Sequence, residues 1–101
     1  MAQRGGGAGA TGEAGRQVDA WPDWWTWGIE LSPHVLRRMR DRGFSETDLR
    51  LMLEDALGYD ADVEPGRFLI QTRLRGAGWR VVVEPDARER RLVVVTAWGL
   101  E

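Results

Sequence analysis

Partway along this chain the spacing of apolar residues changes, and that change limits what it can fold into. From residue 33 to residue 57 they recur every three or four positions; from residue 67 onward they alternate. Two helices followed by three hairpin-linked strands place both helices on one face of an antiparallel sheet.

The first helix has both ends marked in Ser32-Pro33-His34-Val35-Leu36-Arg37-Arg38-Met39-Arg40-Asp41-Arg42-Gly43. Ser32 is a good N-cap, and Pro33 suits the first helical position, where its missing N–H would be unpaired anyway. Gly43 can adopt the left-handed backbone that closes a helix. Val35, Leu36 and Met39 share an apolar face, while His34, Arg38 and Arg42 follow one another at i, i+4, i+8 along the polar flank. One imidazole in line with two permanent cations is a candidate anion site.

The second helix opens with Ser45 and Asp48 in the spacing of a capping box, with Phe44 and Leu49 placed as a hydrophobic staple. Leu49, Met52, Leu53, Ala56 and Leu57 form its apolar stripe, and Gly58 is read as its stop.

Before these helices, Trp25, Trp27, Ile29 and Leu31 alternate with Thr26, Gly28 and Glu30, the pattern of a half-buried edge strand packed on a helix. A platform for stacking bases is the functional reading of the tryptophans, but the alternation already accounts for their spacing. It leaves Trp21 and Trp24 unexplained. Residues 1–20, rich in Gly and Ala, cannot bury enough surface to offset ordering and are read as a disordered tail before a single domain over 21–101.

The alternating carboxylates of residues 59–66 match the start of a calcium loop. Pro65 then stands where the loop requires Gly, and Gln71 where it requires a bidentate Glu, so the segment is read as a solvated acidic turn. Strands follow over 67–74, 79–84 and 91–98, the first pair joined by Arg75-Gly76-Ala77-Gly78. Phe68, Ile70, Thr72, Leu74, Trp79, Val81, Val83, Val93, Val95 and Ala97 are assigned to the helix side. The other side carries Arg67, Gln71, Arg73, Arg80, Glu84, Thr96 and Trp98, mixed with Leu69, Val82, Leu92 and Val94. The expected order is β-α-α-β-β-β, an α+β fold.

The net charge of −2 is unevenly spread. Residues 33–42 carry +3 and residues 67–80 carry +4, with −5 between them over 54–64. Were the two basic segments to meet, a local positive field would survive the acidic total. All basic residues are Arg, the better bidentate phosphate ligand. Without Cys there are no disulfides or thiolate metal sites, and one His suggests no metal centre. No apolar run approaches the ~18 residues that span a bilayer, so a cytoplasmic location without membrane contact is expected.

The pattern E-L-S-x-H-x-x-x-R-M-x-x-R-G-F-S-E-x-D-L-R-x-M-L, followed by G-R-F, W-x-V-x-V-E-P-D and V-V-V-T-A, resembles a small bacterial family known as a domain of unknown function and grouped with the RelE-like toxins of the barnase–colicin–RelE superfamily. The resemblance covers residues 27–99 and falls on His34, Arg38, Met39, Arg42, Arg50, Arg67, Glu84, Pro85 and Thr96. It implies metal-independent cleavage of RNA, with no cofactor, by attack of a ribose 2′-hydroxyl on the adjacent phosphorus. RNA and an antitoxin-like protein are the partners it implies.

Such cleavage needs a base, cations for the phosphorane and an acid for the leaving 5′-oxygen. Glu84 and His34 are the residues for base and acid. Arg67 and Arg80, with Arg38 or Arg42, are the cations, and Thr96 joins the substrate-binding set. Each also has a structural role open to it: His34 bonding backbone or a carboxylate, Arg38 and Arg42 pairing with Asp41 or the acidic loop, Arg80 pairing with Glu84, Arg67 bracing its turn. On that reading the protein is a catalytically inactive RelE-like domain that binds a protein or nucleic acid.

Overall fold

The computed structural model describes residues 21–100; the expected tail over 1–20 lies outside them. A short 3-10 helix at Asp23–Thr26 leads into β1 (Gly28–Leu31), α1 (Pro33–Arg42), α2 (Glu46–Glu54), β2 (Gly58–Ala61), β3 (Phe68–Leu74), β4 (Ala77–Asp86) and β5 (Arg91–Gly99). The strands form one sheet in the order β1-β5-β4-β3-β2.

The fold is α+β with two helices, as expected, but the sheet is mixed and has five strands. β1 runs parallel to β5, and every other pair is antiparallel. The extra strand is β2, which occupies the start of the segment read as an acidic turn and pairs Gly58 to Ala61 with Gln71 to Phe68.

Both helix starts form as their residues dictate. The Ser32 hydroxyl accepts the Val35 N–H, and Gly43 closes α1 with φ 73°. Val35 is fully buried and Met39 packs on the core, whereas Leu36 is 42% exposed and leaves the apolar face expected for it. At α2 the Ser45 hydroxyl accepts the Asp48 N–H while Oδ2 of Asp48 accepts the Ser45 N–H, both at 3.0 Å.

α2 ends at Glu54, four residues before Gly58. A helix terminus leaves carbonyls without partners. The Met52 carbonyl accepts the hydroxyl of buried Thr72 on β3 instead of continuing the helix, and the Leu57 N–H donates to Gln71. A partner supplied by the sheet, not a local glycine, therefore stops this helix.

The β3–β4 connection is tighter than the four residues expected. Leu74 pairs with Ala77, leaving Arg75 and Gly76 as a two-residue loop with φ 51° and 84°. Positive φ at both positions is the I′ geometry whose twist suits a hairpin.

On β5 the expected face is corrected. Val82 pairs with Thr96 but Val83 pairs with Val94, so Val95 is an extra residue, a β-bulge. The phase slips by one, so Leu92 and Val94 enter the core in place of Val93 and Val95, while Ala97, beyond the bulge, lies in the core as expected. They meet Val35, Phe44, Leu49, Met52 and Leu53 from the helical side and Ile70, Leu74, Val81 and Val83 from the sheet.

Trp21, Trp24 and Trp25 close one end of this core. Trp25 belongs to the 3-10 helix rather than to β1, and Trp21 stacks on it with ring centroids 4.2 Å apart. Trp24 lies 4.8 Å from Phe68 and 6.0 Å from Tyr59. Trp21 and Trp24 thus bridge from the β1 side of the sheet to β2 and β3 at its far edge.

Two expectations follow for α2. Ser45→Ala should lower the unfolding free energy by about 1 kcal/mol in urea titrations. The Asp48 carboxylate is held below its ordinary value of 3.8, first by the Ser45 backbone N–H, against a cost of desolvation, and then by Arg75. A depressed folded value means that the unfolded chain takes up the proton first. The stabilisation is therefore complete above the ordinary value and is lost as pH falls through the folded one. Between about pH 5 and pH 3 the wild type should lose more stability than Asp48→Asn; parallel losses would contradict this.

Candidate nucleic-acid interface

Because both helices pack on one side, the described residues leave the other side of the sheet without a helix. Alternation places Leu69, Gln71 and Arg73 of β3 and Arg80, Val82 and Glu84 of β4 there. After the bulge, β5 adds Thr96 and Trp98. Register then orders the face into rows. Gln71, Arg80 and Trp98 form one, and Leu69, Val82 and Thr96 the next. A third holds Glu84 opposite Val93.

Arg67 joins the third row through its side chain, its Nε donating to Oε1 of Glu84 at 2.9 Å. Arg80 does not pair with Glu84; it donates to the carbonyl of Trp79 at 3.0 Å and meets no carboxylate among the described residues. Val82 is only 5% exposed although it lies outside the helix-side core, flanked by these side chains.

Ser32 and Arg38, the cap and one residue of α1, reach the edge of β5. β1 is so short that it covers β5 only as far as Val94. Beyond it, the Ser32 hydroxyl donates to the Val95 carbonyl at 3.0 Å, and Nε and a terminal nitrogen of Arg38 donate to the Ala97 carbonyl at 3.4 Å. Arg38 is thereby fixed between Thr96 and Trp98 in sequence. His34, one turn earlier on the same flank, is exposed and makes no hydrogen bond, ion pair or ring contact among the described residues. Arg42 is exposed and unpaired as well, and pairs neither with Asp41 nor with the acidic loop.

The structure thus brings Arg67, Glu84, Arg80 and Thr96 onto one face and Arg38 to its rim, whereas no contact among the described residues joins His34 or Arg42 to that face. The +4 of residues 67–80 is largely cancelled. Glu84 meets Arg67, Oδ2 of Asp55 meets Arg73 at 3.0 Å, and Oδ1 of Asp48 meets Arg75 at 2.8 Å. Among the described residues, exposed arginines without a side-chain partner are Arg37, Arg40 and Arg42 on α1 and Arg88 and Arg91 around the β4–β5 turn. Arg50, also matched by the resemblance, is bound to Glu46 on α2, away from this face.

A cavity of about 210 Å³ opens on the helix side, lined by Trp25, Trp27, Ile29, Arg50, Leu53, Glu54 and Leu92. It is smaller than the several hundred Å³ usual for a ligand pocket and holds none of the cleavage candidates. No helix among the described residues is long and apolar enough to cross a membrane.

The Arg67–Glu84 pair is part-exposed, with side chains 37% and 47% accessible. Such pairs contribute under about 1 kcal/mol. A double-mutant cycle in urea with Arg67→Ala and Glu84→Ala should give a coupling below that value, and one well above it would make the pair a structural brace.

Residues 31–98 match the family model described as Domain of unknown function (DUF4258). No curated protein and no solved structure matches the chain. The motif-bearing segment from Leu31 to Trp98, which includes both helices and the strands of the uncovered face, places the chain in the DUF4258 family.

Proposed function

We propose that this domain is RelE-like and that its uncovered sheet face is a metal-independent ribonuclease site. The observation that carries the reading is the contact of Arg67 with Glu84, a cation and a proton acceptor side by side where no helix among the described residues covers the sheet. In the reaction Glu84 takes the proton of a ribose 2′-hydroxyl, whose oxygen forms a bond to the adjacent phosphorus. Arg67 and Arg80 stabilise the charge that grows on the phosphorane. The bond from phosphorus to the 5′-oxygen breaks, and His34 delivers a proton to the leaving oxygen. The products are a 2′,3′-cyclic phosphate and a 5′-hydroxyl. Arg38 and Arg42 carry the phosphate contacts along α1, Thr96 adds a hydroxyl beside them, and an antitoxin-like protein would restrain the activity in the cytoplasm.

A second reading rests on the same pair. Glu84 already has a partner, and α1 carries three exposed arginines with no partner among the described residues, which suits a non-catalytic module that binds a protein or nucleic acid.

Expression of the protein alone separates the two. A ribonuclease slows growth, and His34→Ala or Arg67→Ala restores it while the melting temperature stays near wild type. The purified protein should cleave an oligoribonucleotide in the presence of EDTA, with either variant slower by about 100-fold or more. Normal growth with a co-purifying partner and no cleavage would favour the binding module, and toxicity lost only together with folding would remove the catalytic assignment.

A further inference from the structure

Five of the six tryptophans have a visible packing role. Trp21, Trp24 and Trp25 form the aromatic cluster at the end of the core, and Trp79 meets Phe44 edge-on at 5.2 Å. Trp27 carries the guanidinium of Arg90 at 5.4 Å above its ring. Trp98 has neither a ring partner nor a cation over its face among the described residues. It lies on the side of the sheet away from the core and is only half-buried.

Its surroundings are cationic. Arg80 is its cross-strand neighbour on β4, and Arg38 grips the carbonyl of Ala97, the residue before it. An indole with no ring or cation stacked on it among the described residues, opposite Arg80 in register and next in sequence to the carbonyl that Arg38 holds, has the elements that bind single-stranded nucleic acid, where cations follow the backbone and a base stacks on the ring. A base inside a duplex has no face to offer, so the same surface discriminates against paired strands.

We infer that Trp98 is the stacking platform for an unpaired base of the RNA, with Arg80 and Arg38 holding the flanking phosphates. This inference rests on the RNA-cleaving reading and narrows its substrate to single-stranded segments. Thr96, one row away, lies beside the base, and the Arg67–Glu84 pair lies two rows away.

The test is fluorescence anisotropy with a labelled single-stranded 2′-O-methyl oligoribonucleotide, which keeps an RNA-like sugar but cannot undergo 2′-hydroxyl attack, and with a matching strand of abasic residues. Trp98→Ala should weaken binding of the base-bearing strand about tenfold or more, while Trp98→Phe keeps most of the affinity. Both variants should bind the abasic strand as wild type does. Equal losses on both strands, or no loss on either, would overturn the assignment of Trp98 and leave the RNA reading standing. A wild-type protein that binds neither strand would overturn the RNA reading and this inference with it.

Discussion

Asp48 joins two parts of the molecule through one carboxylate. Its Oδ2 accepts the Ser45 N–H at the start of α2, and its Oδ1 accepts Arg75 from the tip of the β3–β4 hairpin. At the other end of α2, the hydroxyl of Thr72 takes the Met52 carbonyl. The helix is therefore tied at both ends to a single hairpin, and the apolar stripe of Leu49, Met52 and Leu53 is pressed onto Ile70 and Leu74 between those ties. A buried polar group tolerates little misplacement, so the bond of buried Thr72 sets the register of helix against sheet more narrowly than apolar contact does, while Arg75, 71% exposed, adds a weaker tie at the other end.

That docking decides which side of the sheet is left for function. With α2 over β3 and α1 over β5, the side bearing Arg67, Arg80, Glu84, Thr96 and Trp98 receives no helix among the described residues. The same ties consume charge. Asp48 neutralises Arg75, and Asp55 just past the helix neutralises Arg73, so the arginines of this region that remain near the open face are Arg67 and Arg80. Structural pairing thus sharpens a diffuse basic segment into a few positions.

Much of this was legible in the residues. Ser32, Gly43 and the Ser45–Asp48 box mark helix ends through bonds made within one turn, which local sequence encodes. The antiparallel hairpins were legible for the same reason. What was not legible depends on partners distant in sequence. α2 stops where Thr72 meets it, and nothing near Glu54 announces that. β2 is four residues containing Gly and Asp, poor strand formers that pair because β3 offers an edge. The bulge at Val95 hides in an unbroken run of valines, where either phase looks equally apolar. Parallel pairing of β1 with β5 leaves no turn between them to read. For the candidate site, alternation found the face of Arg67, Arg80 and Glu84 but missed that Glu84 takes Arg67 rather than Arg80. Trp98 stood in the list of residues on that face, and only its lack of a partner, which requires coordinates, sets it apart.

The junction at Ser32 has a kinetic consequence. Its hydroxyl spans 63 positions of chain to reach Val95, while the hairpins on the far side of β5 close over a few residues each. Loop-closure entropy makes such a distant contact slow to form. The β3–β4–β5 meander and α2 can assemble first, and β1 with α1 docks afterwards along the waiting strand. Without β1 the β5 edge would present unpaired backbone to any other extended chain, so the docking of β1 over Arg91 to Val94, with the Ser32 and Arg38 bonds beyond it, also shields the molecule from aggregating through that edge.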